Sequence, residues 1–403
     1  MEDFYQQNKN YLLDIEIKEL NEKKYEDIYY YKQILKKETY LNKSYENKYT
    51  NLESKNYITI PDDHIDFRYK IWKLLGRGVY GKVIVCQDFK NNEYCAAKII
   101  KNKGSFYETI QNEIEVLNHI TKMKENENDL VKNIIIDFKK QLKYRKHTFL
   151  FFKMYYINVY EEIKNNKHKG LEINNCIHIT RDIIKGLHFI HKNKIVHCDL
   201  KPENIVFTNP TKQNVVIIDF GLAQLHNKIN KNKNKKYIQT FNDNYYLQSR
   251  YYRAPEVFFM LNKDYNIDIW SLGCIMYEIL YGKPLFAARR HNYLLDYYIK
   301  VMELPCRNFI INNCLDKFFD KDFKPRAQYI KNNFRPGEYK LHELLIPEYN
   351  VREIDVNYTQ KDINKFKFNK YIYIIIDCIC WDYQKRVTSE ELEELDFIAY
   401  LNN

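Results

Sequence analysis

Glycine and proline are scarce, at 10 and 9 of 403 residues, well under the roughly 12% the two make up in average proteins. Collagen-like repeats and Pro/Gly-rich disorder are excluded, and each remaining glycine gains meaning. No uninterrupted apolar run approaches the ~20 residues that span a bilayer; the best, Tyr371 to Ile376, stops at Asp377. The opening MEDFYQQNKN has no basic stretch leading into an apolar one, so no secretory signal is expected. The nine cysteines include no CxxC pair, which argues against structural zinc and for a reducing, intracellular compartment. No strong charge excess appears either: 64 Lys and Arg against 53 Asp and Glu give +11, and the lysines are scattered among Asn and Tyr. Without an aromatic-basic module or zinc pattern, stable nucleic-acid binding is not expected. The expectation is a monomer that binds no membrane, in the cytoplasm, the nucleus or both.

What is present is 45% hydrophobic and 29% charged, enough for a large core. Residues 1–66 form a charged leader in which YLLDIEIKEL (11–20) has helical character, although such a segment can also order only on a partner. From Tyr69 the texture changes. YKIWKLLG, KVIVCQDF and EYCAAKII read as short strands separated by Gly or Asn turns. FYETIQNEIEVLNHI (106–120) then places Ile110, Ile114 and Leu117 at helical spacing. After a further strand, HTFLFFKM, the chain turns helical. ITRDIIKGLHFIHKN carries an apolar face, and DIWSLGCIMYEILYG is apolar nearly all round. The class is α+β: a small β-rich lobe with one main helix, then a larger, mostly helical lobe, with a hinge near 153–156 and a cleft between them. NKINKNKNKKY (227–237) reads as a polar surface loop.

Gly76, Gly78 and Gly81 stand in GRGVYGKV between two strands. Glycines let a backbone approach phosphates and offer its amides, yet the same pattern suits a plain hairpin turn. A strand follows the third glycine, where a dinucleotide-binding fold would place a helix. Lys98 ends CAAK on the next strand and requires a partner; Glu113 on the following helix is preferred over Glu108 and Glu115, because apolar Leu117 lies one turn beyond it. In IVHCDLKPENIVF (195–207), Asp199 is placed to accept or orient a hydroxyl proton, Lys201 to neutralise a phosphoryl group and Asn204 to hold a cation. Asp219 ends the apolar strand of VVIIDFGLA, where a carboxylate calls for a metal, here Mg²⁺.

GRGVYGKV, AAK, Glu113, HCDLKPEN, DFG, APE (254–256) and DIWSLG (268–273), in this order, resemble the eukaryotic protein kinases over roughly 67–400. The resemblance implies the bilobal kinase fold, with an N-lobe over 67–152 and a C-lobe over 153–401. It implies ATP and magnesium as cofactors, protein substrates, and phosphoryl transfer governed by positioning and electrostatics. It marks Val83 and Ala96 as the roof and Val206 as the floor of an adenine slot. Phe152 would be the gatekeeper, with Lys153, Met154 and Tyr155 as hinge. Glu256 would pair with Arg386, and Asp268 would brace the catalytic loop.

YLQSRYYRAPEV (246–257), the HCD form of the loop and PDDHIDFRYKIWKLLGRG (61–78) are similar to the dual-specificity tyrosine-regulated kinases and their Yak-type and homeodomain-interacting relatives. The resemblance implies transfer to Ser and Thr, with autophosphorylation on Tyr246. Arg250 and Arg253 would receive that phosphate, and Ser249 would shape the surroundings of the substrate hydroxyl. Cys198 replaces the arginine that many kinases carry before the catalytic aspartate, so switching through an arginine–phosphothreonine contact is not expected. A scaffold that has lost catalysis would need a missing element, and Lys98, Glu113, Asp199, Asn204 and Asp219 are all present.

Overall fold

The structure is a computed structural model that describes residues 6–8, 12, 14–22, 28–31, 56–78, 81–101, 107–226, 247–261, 263–331, 335–339, 341 and 360–395. The chain divides into two compact units: Met1–Thr121 with Ile136–Tyr155, and Lys122–Ile135 with Tyr156–Asn403.

In the first unit, six antiparallel strands lie in the order β1-β2-β3-β4-β6-β5. They are β1 (His64–Ile65), β2 (Tyr69–Arg77), β3 (Gly81–Asp88), β4 (Glu93–Ile100), β5 (Phe138–Tyr144) and β6 (His147–Lys153). Alternation sets the faces. Ile84 and Cys86 of β3, Cys95, Ala97 and Ile99 of β4, and Phe149 and Phe151 of β6 bury together in one core. The opposite face keeps Val83, Ala96 and Lys98 only half-buried. Of the leader, the described residues belong to this unit. Helix α1 (Asp14–Glu22) places Leu20, with Leu12, against Phe67 and the half-buried Ile17, Ile28 and Tyr31.

Glu16 lies between Leu12 and Leu20 on that buried stripe, so the helix looks polar in sequence although one side of it is covered. Its carboxylate meets His64 Nε2 at 3.1 Å. Phe67 N–H donates to His64 Nδ1, so Nε2 carries the ring proton and donates to Glu16. The donor atoms of Glu16, Asp63 and His64 lie within 4.8 Å of one another. That tautomer leaves the imidazole no lone pair for a cation, and the cluster is a structural hydrogen-bond network. Glu19 accepts from Arg145 Nε at 2.7 Å and Nη2 at 3.1 Å, and from Tyr144 OH at 3.0 Å. Arg145 and Lys146 form the two-residue turn between β5 and β6 at φ +47° and +60°, positions where Asn-Gly is the favoured pair. The glutamate thus fastens a turn that its own residues disfavour.

The second unit is mainly helical. Helix α3 (Ile173–Lys192; α2 being Tyr107–Lys124 of the first unit) buries Ile179, Ile183, Leu187 and Ile190, and α4 (Asn266–Tyr281) is buried almost continuously from Ile267 to Ile279. Gly273 lets α5 (Gln360–Cys378) approach, since a Cβ there would stand 2.7 Å from Cys378 Cβ. Short ribbons pair β7 (Ile195–Val196) with β10 (Gln224–Leu225), and β8 (Ile205–Phe207) with β9 (Val215–Ile217). No helix among the described residues is long and apolar enough to cross a membrane.

Arg145→Ala should lower the unfolding free energy by about 2–4 kcal/mol, because it strands Glu19 and leaves the turn unfastened. Urea unfolding measures this. A change within about 0.5 kcal/mol, typical of exposed positions, would show that α1 rests on the sheet without stabilising it.

Candidate active site

The loop between β7 and β8 carries the densest polar constellation. Lys201 Nζ donates to Asp199 Oδ2 at 2.6 Å and to Ser249 Oγ at 3.0 Å. Ser249 in turn donates to Asp199 Oδ1 through its hydroxyl at 2.8 Å and its backbone N–H at 2.9 Å. Burial works against the Lys201 charge, but the carboxylates of Asp199, Glu203 and Asp219 outweigh it and hold the ammonium above its ordinary range. Asn204 Nδ2 donates to the Asp199 carbonyl at 2.9 Å, which orients its Oδ1 as the end of the amide suited to a cation. Ile218 N–H donates to the Asn204 carbonyl, tying this loop to the residue before Asp219. His197 joins the same two segments: Asp199 N–H donates to its Nδ1, and its Nε2–H donates to Ile218 O at 3.1 Å. Its ring meets Phe220 edge-on at 5.0 Å. The amide oxygen of Asn204 and the carboxylate of Asp219 are hard oxygen ligands of the kind a magnesium ion takes.

Three non-glycine residues here adopt positive φ: Cys198 at +66°, Asp219 at +65° and Gln248 at +60°. Such conformations cost on the order of 1–2 kcal/mol each and persist only under constraint. Asp268, in the first turn of α4, supplies it for Cys198. Its carboxylate accepts from His197 N–H at 2.7 Å and Cys198 N–H at 2.9 Å, and meets His191 Nε2 at 3.1 Å. The Cys198 carbonyl then accepts from Gln248 N–H. Burial, reinforced by Asp268, pushes the Cys198 thiol well above its usual range; the side chain is a neutral thiol.

Gln248 is fully enclosed. Its amide donates to Ile267 O and Ser271 Oγ, and accepts from Ala254 N–H. Its backbone carbonyl accepts from Arg253 Nη2 at 2.8 Å, while Arg253 Nε donates to Leu247 O. Arg253 is thus committed to the backbone around Gln248, and Arg250 is the more open arginine. Glu256 pairs with Arg386 at 2.6 Å, wholly buried. Tyr246 and the 227–237 loop lie outside the described residues.

In the first unit, Lys98 Nζ lies 2.6 Å from Glu113. Glu113 is buried on α2, whereas Glu108 and Glu115 are exposed. The three glycines separate by cause. At Gly81 a Cβ would stand 2.0 Å from Ile99 O, so strand packing requires the glycine; at Gly76 and Gly78 it would meet nothing within 4 Å. Those two positions are bare for a reason outside the fold, as close phosphate approach would supply. The segment is also a hairpin joining β2 to β3, with Gly78 N–H donating to Gly81 O. Val83, Ala96 and Lys98 share the open face, and Phe152 pairs in register with Ala96. Tyr155 turns its phenol inward to accept from Asp137 N–H, so only its backbone is left for a hinge contact; Lys153 is exposed. Val206 is buried in the second unit. The structure therefore gathers Gly76, Gly78, Gly81, Val83, Ala96, Lys98, Glu113, Phe152, Lys153 and Tyr155 in one unit. It gathers Asp199, Lys201, Asn204, Val206, Asp219, Ser249, Arg250 and Arg253 in the other. The sequence reading had not singled out His197, Gln248 or the Tyr252–Glu278 pair; Gln248 is betrayed only by its backbone angle.

Residues 69–398 match the family model for the protein kinase domain, and the chain belongs to that family, with a β-rich N-lobe and a helical C-lobe. Its curated relatives include dual-specificity tyrosine-phosphorylation-regulated kinases. It is 31% identical, over 93% of its length, to the probable serine/threonine-protein kinase dyrk2 of Dictyostelium discoideum, covering 37% of that protein. It is 32% identical, over 97% of its length, to the dual specificity tyrosine-phosphorylation-regulated kinase 2 of Drosophila melanogaster, covering 50%. It is 31% identical over 86% to the DYRK-family kinase pom1 of Schizosaccharomyces pombe, covering 29%. The chain thus spans about a third to a half of the length of these relatives.

Asp268→Asn should destabilise the protein by about 1–3 kcal/mol, since the His197 and Cys198 N–H groups reach different carboxylate oxygens, Asn puts an NH₂ in place of one of them, and a buried N–H is left unpaired. Unfolding midpoints test this, and an unchanged midpoint would remove Asp268 from its bracing role. Glu278 provides a pH test. Burial raises its carboxyl to about 7, with Glu203 adding and the Tyr252 hydroxyl opposing. The folded state therefore keeps a proton that the unfolded chain releases near 4.5, so this group's contribution to stability falls as pH rises from about 4.5 to 7. Glu278→Gln should flatten that part of the profile; a parallel profile would refute the assignment.

Proposed function

We propose that the chain is an active, ATP-dependent protein kinase that phosphorylates Ser and Thr of protein substrates and autophosphorylates on Tyr246. The Asp199–Lys201–Ser249 triangle is the observation that carries this reading. A carboxylate fixed on two sides, with an ammonium 2.6 Å from one oxygen, is arranged to accept a hydroxyl proton while negative charge builds beside it. As the substrate oxygen bonds to the γ-phosphorus and the bond to ADP breaks, Asp199 takes the hydroxyl proton and Lys201 offsets the charge on the moving phosphoryl group. Lys98, oriented by Glu113, would hold the α and β phosphates, and the amides of the Gly76–Gly81 turn would cover them. Asn204 and Asp219 would hold Mg²⁺, which would supply positive charge against the phosphates.

Two features narrow the substrate. The Gln248 carbonyl is already occupied by Arg253, so it is closed to the backbone N–H of the residue after the acceptor. Proline has no N–H to leave unpaired, which favours Ser-Pro and Thr-Pro. Glu203 lies near enough to add to the burial that raises the Glu278 carboxyl, and an arginine of the substrate would relieve that repulsion. Cys198, a neutral thiol, offers no cation for an activation-loop phosphate, in keeping with self-maturation on Tyr246.

Asp199→Asn should cut phosphate transfer from ATP to a generic basic protein by about 10²- to 10⁴-fold while the fold is retained. Equal transfer by both proteins, or none by well-folded parent, would refute the catalytic reading. Tyr246→Phe, made in parallel, should lack phosphotyrosine by mass spectrometry and lose activity; a fully active variant would refute the maturation step.

A further inference from the structure

Gln248 owes its closed carbonyl to the placement of one side chain, Arg253, and that side chain is held from outside its own segment. A guanidinium is a planar fork that only donates. Arg253 Nε donates to Leu247 O at 3.0 Å and Nη2 to Gln248 O at 2.8 Å. Two bonds to adjacent carbonyls leave the fork able to pivot about them. Nη1 meets His291 Nδ1 at 2.8 Å, and this third point, from the turn His291–Tyr293, fixes the plane.

The imidazole is held for that contact. Because Nη1 has no lone pair, Nδ1 is the acceptor, so the ring is neutral with its proton on Nε2. Burial, then the Arg253 and Arg250 charges, push its pKa down to about 4. His291 keeps an exposed edge, yet its ring lies against Phe258 with 5.0 Å between centroids. Phe258 is buried, and Tyr298 and Phe318 back it at 6.0 and 5.3 Å. Tyr298, in the following helix Leu294–Met302, donates its hydroxyl to Arg253 O at 2.6 Å. The 291–298 stretch thus grips Arg253 by both its side chain and its backbone.

We propose that His291 is a positioning residue for substrate choice: by holding Arg253 Nη1 it keeps the guanidinium on the Gln248 carbonyl, and so sustains the preference for proline after the acceptor. The proposal rests on the kinase reading and on the closed carbonyl, and adds the group that keeps the carbonyl closed. Without an acceptor at Nη1, Arg253 is drawn toward water and leaves the Gln248 carbonyl open for part of the time. A substrate residue with an N–H then finds a partner there that the parent protein denies it.

The test uses the full chain and two peptides identical but for Pro or Ala after the acceptor serine. In parent protein kcat/KM should favour the Pro peptide. His291→Phe keeps a ring on Phe258 and offers no acceptor, whereas His291→Asn offers an amide oxygen in place of Nδ1. The Pro-to-Ala ratio of kcat/KM should fall about three- to tenfold in His291→Phe, the size of one hydrogen bond, chiefly through a lower KM for the Ala peptide. His291→Ala, made alongside, should behave as His291→Phe, and His291→Asn should restore most of the ratio. Phosphotyrosine content by mass spectrometry should match across all four proteins. An unchanged ratio in the Phe and Ala variants, including an equal loss on both peptides, overturns the proposal and leaves the kinase and closed-carbonyl readings intact. A ratio that falls as far in His291→Asn, or only in step with phosphotyrosine, makes the ring a packing or maturation element and overturns it too. Parent protein that serves both peptides equally sinks the closed-carbonyl reading and the proposal with it. Parent protein that transfers no phosphate to these peptides or to a generic basic protein sinks the kinase reading itself.

Discussion

The Asp268 carboxylate is the constraint on which the second unit's polar chemistry depends. It sits in the first turn of a helix buried almost all round, where the aligned peptide dipoles favour a negative charge. Two backbone amides and an imidazole satisfy it. A buried carboxylate without such donors would be costly; with them, it becomes the fixed point against which the 197–199 backbone is held. Cys198 adopts a left-handed conformation because both its own N–H and that of His197 are captured by one rigid group. That conformation turns the Cys198 carbonyl toward Gln248, and the next residue, Asp199, toward Lys201 and Ser249.

The strain at Cys198 and Gln248 is therefore shared rather than independent. The Cys198 carbonyl accepts from Gln248, and Gln248 is sealed by Ile267, Ser271 and Ala254, of which Ile267 and Ser271 belong to the helix that carries Asp268. One helix thus over-determines two strained positions. The buried Glu256–Arg386 pair anchors the neighbouring segment, with Arg386 also donating to the carbonyls of Asn266 and Cys380. Buried ion pairs contribute little net stability against an apolar alternative, but breaking one leaves a charge stranded. Their effect here is to forbid other arrangements of the 247–256 stretch, which is what a site built on sub-ångström hydroxyl and carboxylate placement demands.

Much of this was legible in the residues. β-forming runs bounded by Gly and Asn turns located β2, β3 and β4, the run HTFLFFKM located β6, and helical spacing of apolar residues located α2 and α3. Glu113 could be chosen over Glu108 and Glu115 by helical phase alone, and the structure buries it and exposes the other two. Side-chain chemistry in HCDLKPEN and DFG singled out Asp199, Lys201, Asn204 and Asp219, which the structure places in the second unit with Lys201 and Asn204 against Asp199. What stayed hidden has a physical reason in each case. Positive φ at Cys198 and Gln248 is imposed by tertiary hydrogen bonds, and neither residue type advertises it. The leader looked detachable because its buried stripe contains Glu16, a residue that counts as polar in any pattern until His64 is seen beside it.

The global charge and the local charge thus say different things. A net +11 spread over lysines is screened within about 10 Å in ordinary salt and directs little. Glu278 shows charge acting at short range instead: burial pushes its carboxyl up to about 7, the Tyr252 hydroxyl that donates to it opposes this, and the nearby Glu203 charge adds to it. At that range the protonation state is set by what each group touches, and the net charge of the chain has little part in it.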